Sequence, residues 1–159
     1  MRKILEAVGL VALALLAWIT YSALYGPNPL PPRIPTHFTA NGLPNAWGPP
    51  SSLWLLPIVG VGLYLIISVV ALFPASFNFP VRSTALSRPR LEALTVQMMA
   101  WVKAELACLF LYIQWSIIQS ARHGNAALSP AIMPLFLVAV FVTVAVHALA
   151  VFRAARPGS

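Results

Sequence analysis

The sequence predicts an all-α integral membrane protein, a four-helix bundle with a Pro-rich, structured extracytoplasmic loop. Of its 159 residues, 60% are hydrophobic and only 8% are charged. Soluble domains carry roughly 25% charged residues. Four apolar segments are also long enough, at ~1.5 Å of helix rise per residue, to cross a hydrocarbon core of ~30 Å. Since hydrocarbon offers no water to the backbone N–H and C=O groups, each segment is predicted to be helical.

The four predicted helices form one membrane domain over residues 1–159, at about residues 4–25, 53–73, 93–120 and 129–152. Arg2 and Lys3 precede the first of them and resemble the start of a secretory signal peptide. The apolar run behind them is about 20 residues long, whereas the apolar part of a signal peptide has ~7–15. We therefore expect a retained first helix.

The distribution of Lys and Arg predicts the orientation. Seven of them lie before the first helix, in the loop 74–92 or after the last helix: Arg2, Lys3, Arg82, Arg88, Arg90, Arg153 and Arg156. The other two loops hold only two, Arg33 and Arg122. Loops rich in Lys and Arg stay in the cytoplasm. We expect a bacterial inner membrane protein with both termini and loop 74–92 inside and loop 26–52 outside.

Composition and motifs exclude several functions. The basic residues behind the net charge of +7 are scattered over short segments. This distribution argues against a nucleic-acid partner and favours contact with membrane lipid headgroups. The single Cys108 lies in a predicted helix, and the loop around His37 has no Cys, Asp, Glu or second His, so we expect no disulfide and no metal. The chain has no Asp, no G-x-S-x-G and no H-E-x-x-H. We expect neither a cofactor nor an enzyme.

The loop 26–52 holds eight of the fifteen prolines. Proline fixes φ and restricts the preceding residue, so the loop is predicted to be extended, stiff and poor in regular hydrogen bonds. In its middle, Asn41-Gly42 favours a turn. The bulky Phe38 and Trp47 are expected to pack against the helix ends, which would make the loop ordered.

The string "PPRIPTHFTANGLPNAWG" in this loop resembles the N-terminal domain of unknown function of SdpI-like bacterial membrane proteins. The loop of that family is roughly I-P-x-H-F, three variable residues, then G-x-P-D-x-W/Y-G. Eight positions match: Ile34, Pro35, His37, Phe38, Gly42, Pro44, Trp47 and Gly48. Asn45 stands where the family usually has Asp. The resemblance implies a protein that protects the cell from a secreted toxic peptide and reports its presence to a cytoplasmic regulator, although members with the full SdpI-type region carry more helices.

The candidate ligand-binding residues of the loop are His37, Phe38, Asn41, Asn45 and Trp47. A histidine changes charge near neutral pH, so His37 is suited to sensing pH or binding a ligand. Alternatively, its ring hydrogen-bonds within the loop and holds the turn. The sequence leaves both interpretations open.

A second candidate site is an intramembrane polar cluster of Glu6, Lys103, Glu105 and His147. Lys103 and Glu105 are two residues apart, about 200° around a helix, so they face different sides. Opposite charges and similar depth predict Lys103 near Glu6 and Glu105 near His147, with Thr143 one turn from His147. Ionisable residues in a membrane suggest function. Alternatively, the four residues only neutralise one another and fix the packing of the bundle, or Lys103 extends toward the headgroups.

Three functions follow from these observations. The first is a non-enzymatic SdpI-like binding or immunity and signalling protein that recognises a peptide or lipid-like ligand. The alternative is a small accessory subunit of a larger respiratory or photosynthetic membrane complex, since size and the lack of catalytic groups fit such a role. A small transporter is third. The sequence leaves open the ligand, the partner and whether the chain forms a homo-oligomer.

Overall fold

The computed structural model describes residues 1–81, 84–124 and 129–155. Its four helices are α1 (Arg2–Tyr25), α2 (Leu55–Val70), α3 (Arg88–His123) and α4 (Ile132–Ala154). All four are long and apolar enough to cross a membrane, α2 together with the 3-10 turn Pro50–Trp54 before it. The predicted all-α four-helix membrane fold is therefore confirmed. Arg82 and Arg156, used above for the orientation, lie outside the described residues.

Helix α3 has 36 residues and begins before the predicted residue 93, so the boundary of loop 74–92 was wrong. Its polar first turn has local support, since Arg88 Nε pairs with Glu92 Oε1 at 3.0 Å and Pro89 lies where a missing N–H is harmless. Hydrophobicity alone does not detect such a turn. At the other end, Gly124 adopts φ 71°, the left-handed conformation that commonly ends a helix.

Helix α3 packs against each of the other three helices and forms the centre of the bundle. It approaches α1 closely because small residues face each other. A Cβ added to Gly9 would lie 2.8 Å from Tyr64 Cε2 and 3.6 Å from the Cα of Ala104. Leu16 of α1 is fully buried beside Ala107 of α3. Small residues at helix contacts are typical of membrane bundles, where van der Waals packing drives association.

The segment between α1 and α2 contains an antiparallel hairpin of β1 (Ile34–Phe38) and β2 (Pro44–Gly48). At its tip, Gly42 N–H donates to the Thr39 carbonyl at 2.8 Å, and Gly42 has φ 75°. This is the three-residue hairpin turn that ends in a left-handed glycine. The expectation of a loop poor in regular hydrogen bonds was wrong here. The prolines are accommodated by an irregular register around Pro35 and His37.

The hairpin packs on the helix ends through β1. Ile34 is fully buried among Ala23, Leu53, Ile117 and Ile118, and Phe38 lies at the edge of this cluster. Trp47 is 49% exposed, so its expected packing was wrong. The helices contact β1, whereas β2 is the outer strand, and Trp47 lies on it. We call the end of the bundle that carries the hairpin the hairpin end, and the opposite end, where α1 begins, the N-terminal end.

Replacing Ile34 with Ala should lower the free energy of unfolding by ~2–5 kcal/mol, the usual effect of a cavity in a packed core. Trp47→Ala is the control, because an exposed side chain contributes within about 0.5 kcal/mol. Denaturation midpoints of the two variants in one detergent measure the difference. Equal losses would contradict the packing of the hairpin through β1.

Candidate functional site

The structure places Lys103 against Glu6. The Lys103 Nζ lies 2.9 Å and 2.8 Å from the two Glu6 carboxylate oxygens and 2.9 Å from Ser68 Oγ. Its three N–H donors therefore have three acceptors. Nζ also lies 4.5 Å from the centroid of the Tyr64 ring, within reach of a cation–π contact. Lys103 is buried, while the Glu6 side chain is 34% exposed.

Helix α2 completes this cluster with two residues that the sequence analysis missed. The Tyr64 hydroxyl donates to Glu6 Oε2 at 2.5 Å, and the Ser68 hydroxyl donates to the Tyr64 carbonyl at 2.7 Å. The sequence feature that could have revealed them is their spacing of four residues, which puts two polar groups on one face of an apolar helix. The lysine cluster (Glu6, Tyr64, Ser68 and Lys103) thus joins α1, α2 and α3.

Glu105 and His147 do not bond each other directly. Thr143 lies between them: its hydroxyl donates to Glu105 Oε1 at 2.6 Å, and its carbonyl is 2.8 Å from His147 Nδ1. Since a carbonyl only accepts, Nδ1 carries the proton in this contact. Glu105 Oε2 is enclosed and has no partner among the described residues. The predicted pair is therefore a three-residue relay between α3 and α4.

A second buried polar group lies nearer the hairpin end and was not predicted. Gln114 of α3 is fully buried, and its Nε2 donates to Thr20 Oγ1 at 2.7 Å and to the Leu53 carbonyl at 2.9 Å. The Thr20 hydroxyl donates in turn to the Leu16 carbonyl. Gln114 Oε1 is left enclosed without a donor in the described part of the chain. These residues connect α1, α3 and the 3-10 turn before α2.

The hairpin brings together some of the predicted loop residues. His37 Nδ1 lies 2.5 Å from Asn45 Oδ1, so the ring and the amide at the position of the family's Asp face each other across the strands. Both residues are exposed, as are Asn41 at the turn and Trp47. Phe38 alone is partly buried. The contact supports a structural role for His37, and its exposure leaves the ring accessible.

A cavity of about 290 Å³ lies between the hairpin and the helices. Strand β1 contributes His37 and Phe38, α2 contributes Leu55, α3 contributes Gln114 and α4 contributes Met133. Its wall is mainly apolar with a few polar groups, as in ligand-binding cavities generally. The described residues contain no group of three His, Cys, Asp or Glu side chains that could hold a metal ion.

Residues 10–61 match the family model described as "Domain of unknown function (DUF1648)". The match runs from α1 through the hairpin into α2, and it includes Thr20, His37 and Leu53. Lys103 and Gln114 lie beyond it. No curated protein matches the chain, and neither does a solved structure.

Replacing Lys103 with Met should destabilise the bundle by ~1–3 kcal/mol, because it leaves the Glu6 carboxylate without its cation. Adding Glu6→Gln should recover part of the loss, since the double variant holds no unpaired charge. Unfolding in detergent measures both. Lys3→Met is the control, because this exposed lysine makes no ion pair in the described ranges. Equal instability of the single and double variants would contradict the coupling.

Replacing Asn45 with Asp should stabilise the hairpin at low pH by ~0.2–1 kcal/mol, the usual value of an exposed ion pair. The pair needs a protonated imidazole. The gain is therefore present at acidic pH and is lost as the pH rises. Melting temperatures at about pH 5.5 and pH 8 measure it. Asn41→Asp, at the turn, should give no such gain, and an equal gain there would contradict the contact.

Proposed function

We propose that this chain is a non-enzymatic binding protein that receives one end of a peptide or lipid-like ligand in the cavity beneath the hairpin. The cavity itself is the observation that carries the proposal. The proposal places the protein in a bacterial inner membrane with the hairpin outside, because of the distribution of its Lys and Arg residues. The ligand would then arrive from the external face or the outer leaflet.

The origin of the lining residues supports this proposal. The segment that matches the family model supplies one wall, with His37, Phe38 and Leu53, and α3 supplies the facing wall, with Ile113 and Gln114. A loop inside the family match thus meets a helix outside that match at the cavity. The resemblance to SdpI-like proteins favours an immunity or signalling role.

The geometry of α3 provides a route for a signal. Gln114 and Lys103 are eleven residues apart, which brings them to within about 20° on one helix face, ~16 Å apart along the axis. Both bond to α1, through Thr20 and Glu6 respectively. A ligand that shifts Gln114 would therefore act on the same helix contact that holds the lysine cluster. Signalling through this contact is part of the proposal.

The accessory-subunit alternative has one observation in its favour. Helix α4 packs against α3 and exposes large apolar side chains such as Leu135, Leu137 and Phe141. Lipid covers such a face in a lone protein, and another subunit covers it in a complex. The transporter hypothesis has less support, since an apolar layer containing Leu13, Leu16 and Ala107 separates the lysine cluster from Gln114.

Photocrosslinking in the native host would test the proposal. A photoreactive residue replaces Leu55, which lines the cavity, and in a second strain it replaces Leu65, an exposed leucine of the same helix outside it. We expect a discrete adduct at position 55 that is absent at 65, and its mass identifies a peptide or a lipid-like molecule. The same lipid adducts at both positions would refute ligand binding. A discrete protein adduct at position 137 would instead support the accessory subunit.

His37→Ala, combined with the reactive residue at position 55, separates the two roles of this histidine. A ligand contact predicts an unchanged protein level and a roughly 2- to 10-fold weaker adduct, the equivalent of one hydrogen bond. A purely structural role predicts a lower protein level with the same adduct yield per molecule. Immunoblotting measures the level in the same samples.

A further inference from the structure

A second binding surface lies between α1 and α3, away from the hairpin cavity. Two adjoining cavities of about 560 and 370 Å³ share Leu15, Cys108 and Leu111 and so form one continuous groove. The larger one begins at Lys3 and ends at Leu15, and the smaller one continues to Ile19. The groove has no part in the proposed function.

The groove follows from side-chain sizes. Ala7, Ala12 and Cys108 are small, whereas Val11 and Leu111 beside them are larger. A long depression therefore opens to the surface where the two helices meet. All of these side chains are apolar or weakly polar, so the groove suits a hydrocarbon chain.

The two ends of the larger cavity give it a direction. Lys3 lies at one end and is exposed, and it makes no ion pair in the described part of the chain. The twelve steps from Lys3 to Leu15 correspond to ~18 Å of helix at ~1.5 Å each. One leaflet contributes half of the ~30 Å hydrocarbon core, about 15 Å. The cavity thus has the length of one leaflet, with a cation where the headgroups lie.

We propose that the groove binds a phospholipid with an anionic headgroup, its phosphate beside Lys3 and one acyl chain along α1 as far as Leu15. The apolar floor favours any acyl chain, and the lysine selects the negative headgroup. One Lys near an anionic membrane surface is equivalent to about a fivefold change in affinity. The apolar groove therefore provides binding of the acyl chain, and Lys3 provides the preference for an anionic headgroup.

Native mass spectrometry of the purified full-length chain would test this assignment. It is titrated with phosphatidylglycerol and, separately, with phosphatidylcholine of the same acyl chains. We expect the anionic lipid to bind about fivefold more tightly to the unaltered protein. Lys3→Gln should abolish this preference, while Arg33→Gln, which removes an exposed charge at the hairpin end, should leave it unchanged. An unchanged preference in Lys3→Gln would overturn the role of the lysine.

A second pair of variants tests the groove itself. Ala7→Trp places a bulky side chain in the larger cavity and should weaken binding of both lipids, whereas Ala14→Trp, on an exposed part of α1 outside the groove, should not. Equal effects of the two would overturn the groove as the site. A dimer in the same spectra that Ala7→Trp abolishes would show a second copy in the groove and also overturn the proposal. Neither result bears on crosslinking at Leu55, so the two proposals fail independently.

Discussion

The bundle depends on one buried ammonium group. A lysine in hydrocarbon is stable only if acceptors replace its water, and Lys103 obtains them from two other helices, the Glu6 carboxylate of α1 and the Ser68 hydroxyl of α2. These contacts fix which faces of three helices meet. Close packing around Gly9 then becomes feasible, since the ring of Tyr64, a member of the cluster, packs against that glycine. Position along the membrane is set by the same contacts, because the partners must lie at one depth.

At the hairpin end, the alignment set by the lysine cluster determines where the cavity forms. Gln114 is three turns from Lys103 on the same face of α3, so its amide meets Thr20 of α1 and the Leu53 carbonyl before α2. Ile34 of the hairpin then covers the core at the hairpin end. The hairpin rests on the helices through one strand and leaves β2 exposed. The cavity beneath it therefore has a wall of packed helices and an accessible rim.

The sequence predicts those parts of the structure for which any alternative would have a large free-energy cost in the membrane. Four apolar runs predict four helices, and the cost of charge in lipid predicts that Lys103 lies near Glu6. Tyr64, Ser68 and Gln114 escaped prediction because a neutral polar side chain has no opposite charge by which its partner can be identified in the sequence. Trp47 was misplaced for another reason. Its exposure depends on strand pairing, and the eight prolines of loop 26–52 concealed the hairpin.

The ion pair also constrains how the protein is made. Glu6 and Lys103 are separated by 97 positions, so α1 enters the membrane long before its partner leaves the ribosome. During that interval the glutamate at the start of α1 can remain near the aqueous boundary, since it lies one turn from the helix end. Insertion of α3, in contrast, carries Lys103 deeper into the membrane. A lysine at a helix centre has an apparent insertion cost of ~2.5–3.5 kcal/mol, and pairing with the Glu6 carboxylate lowers that cost. The first helix can thus supply the carboxylate that the lysine of the third helix requires.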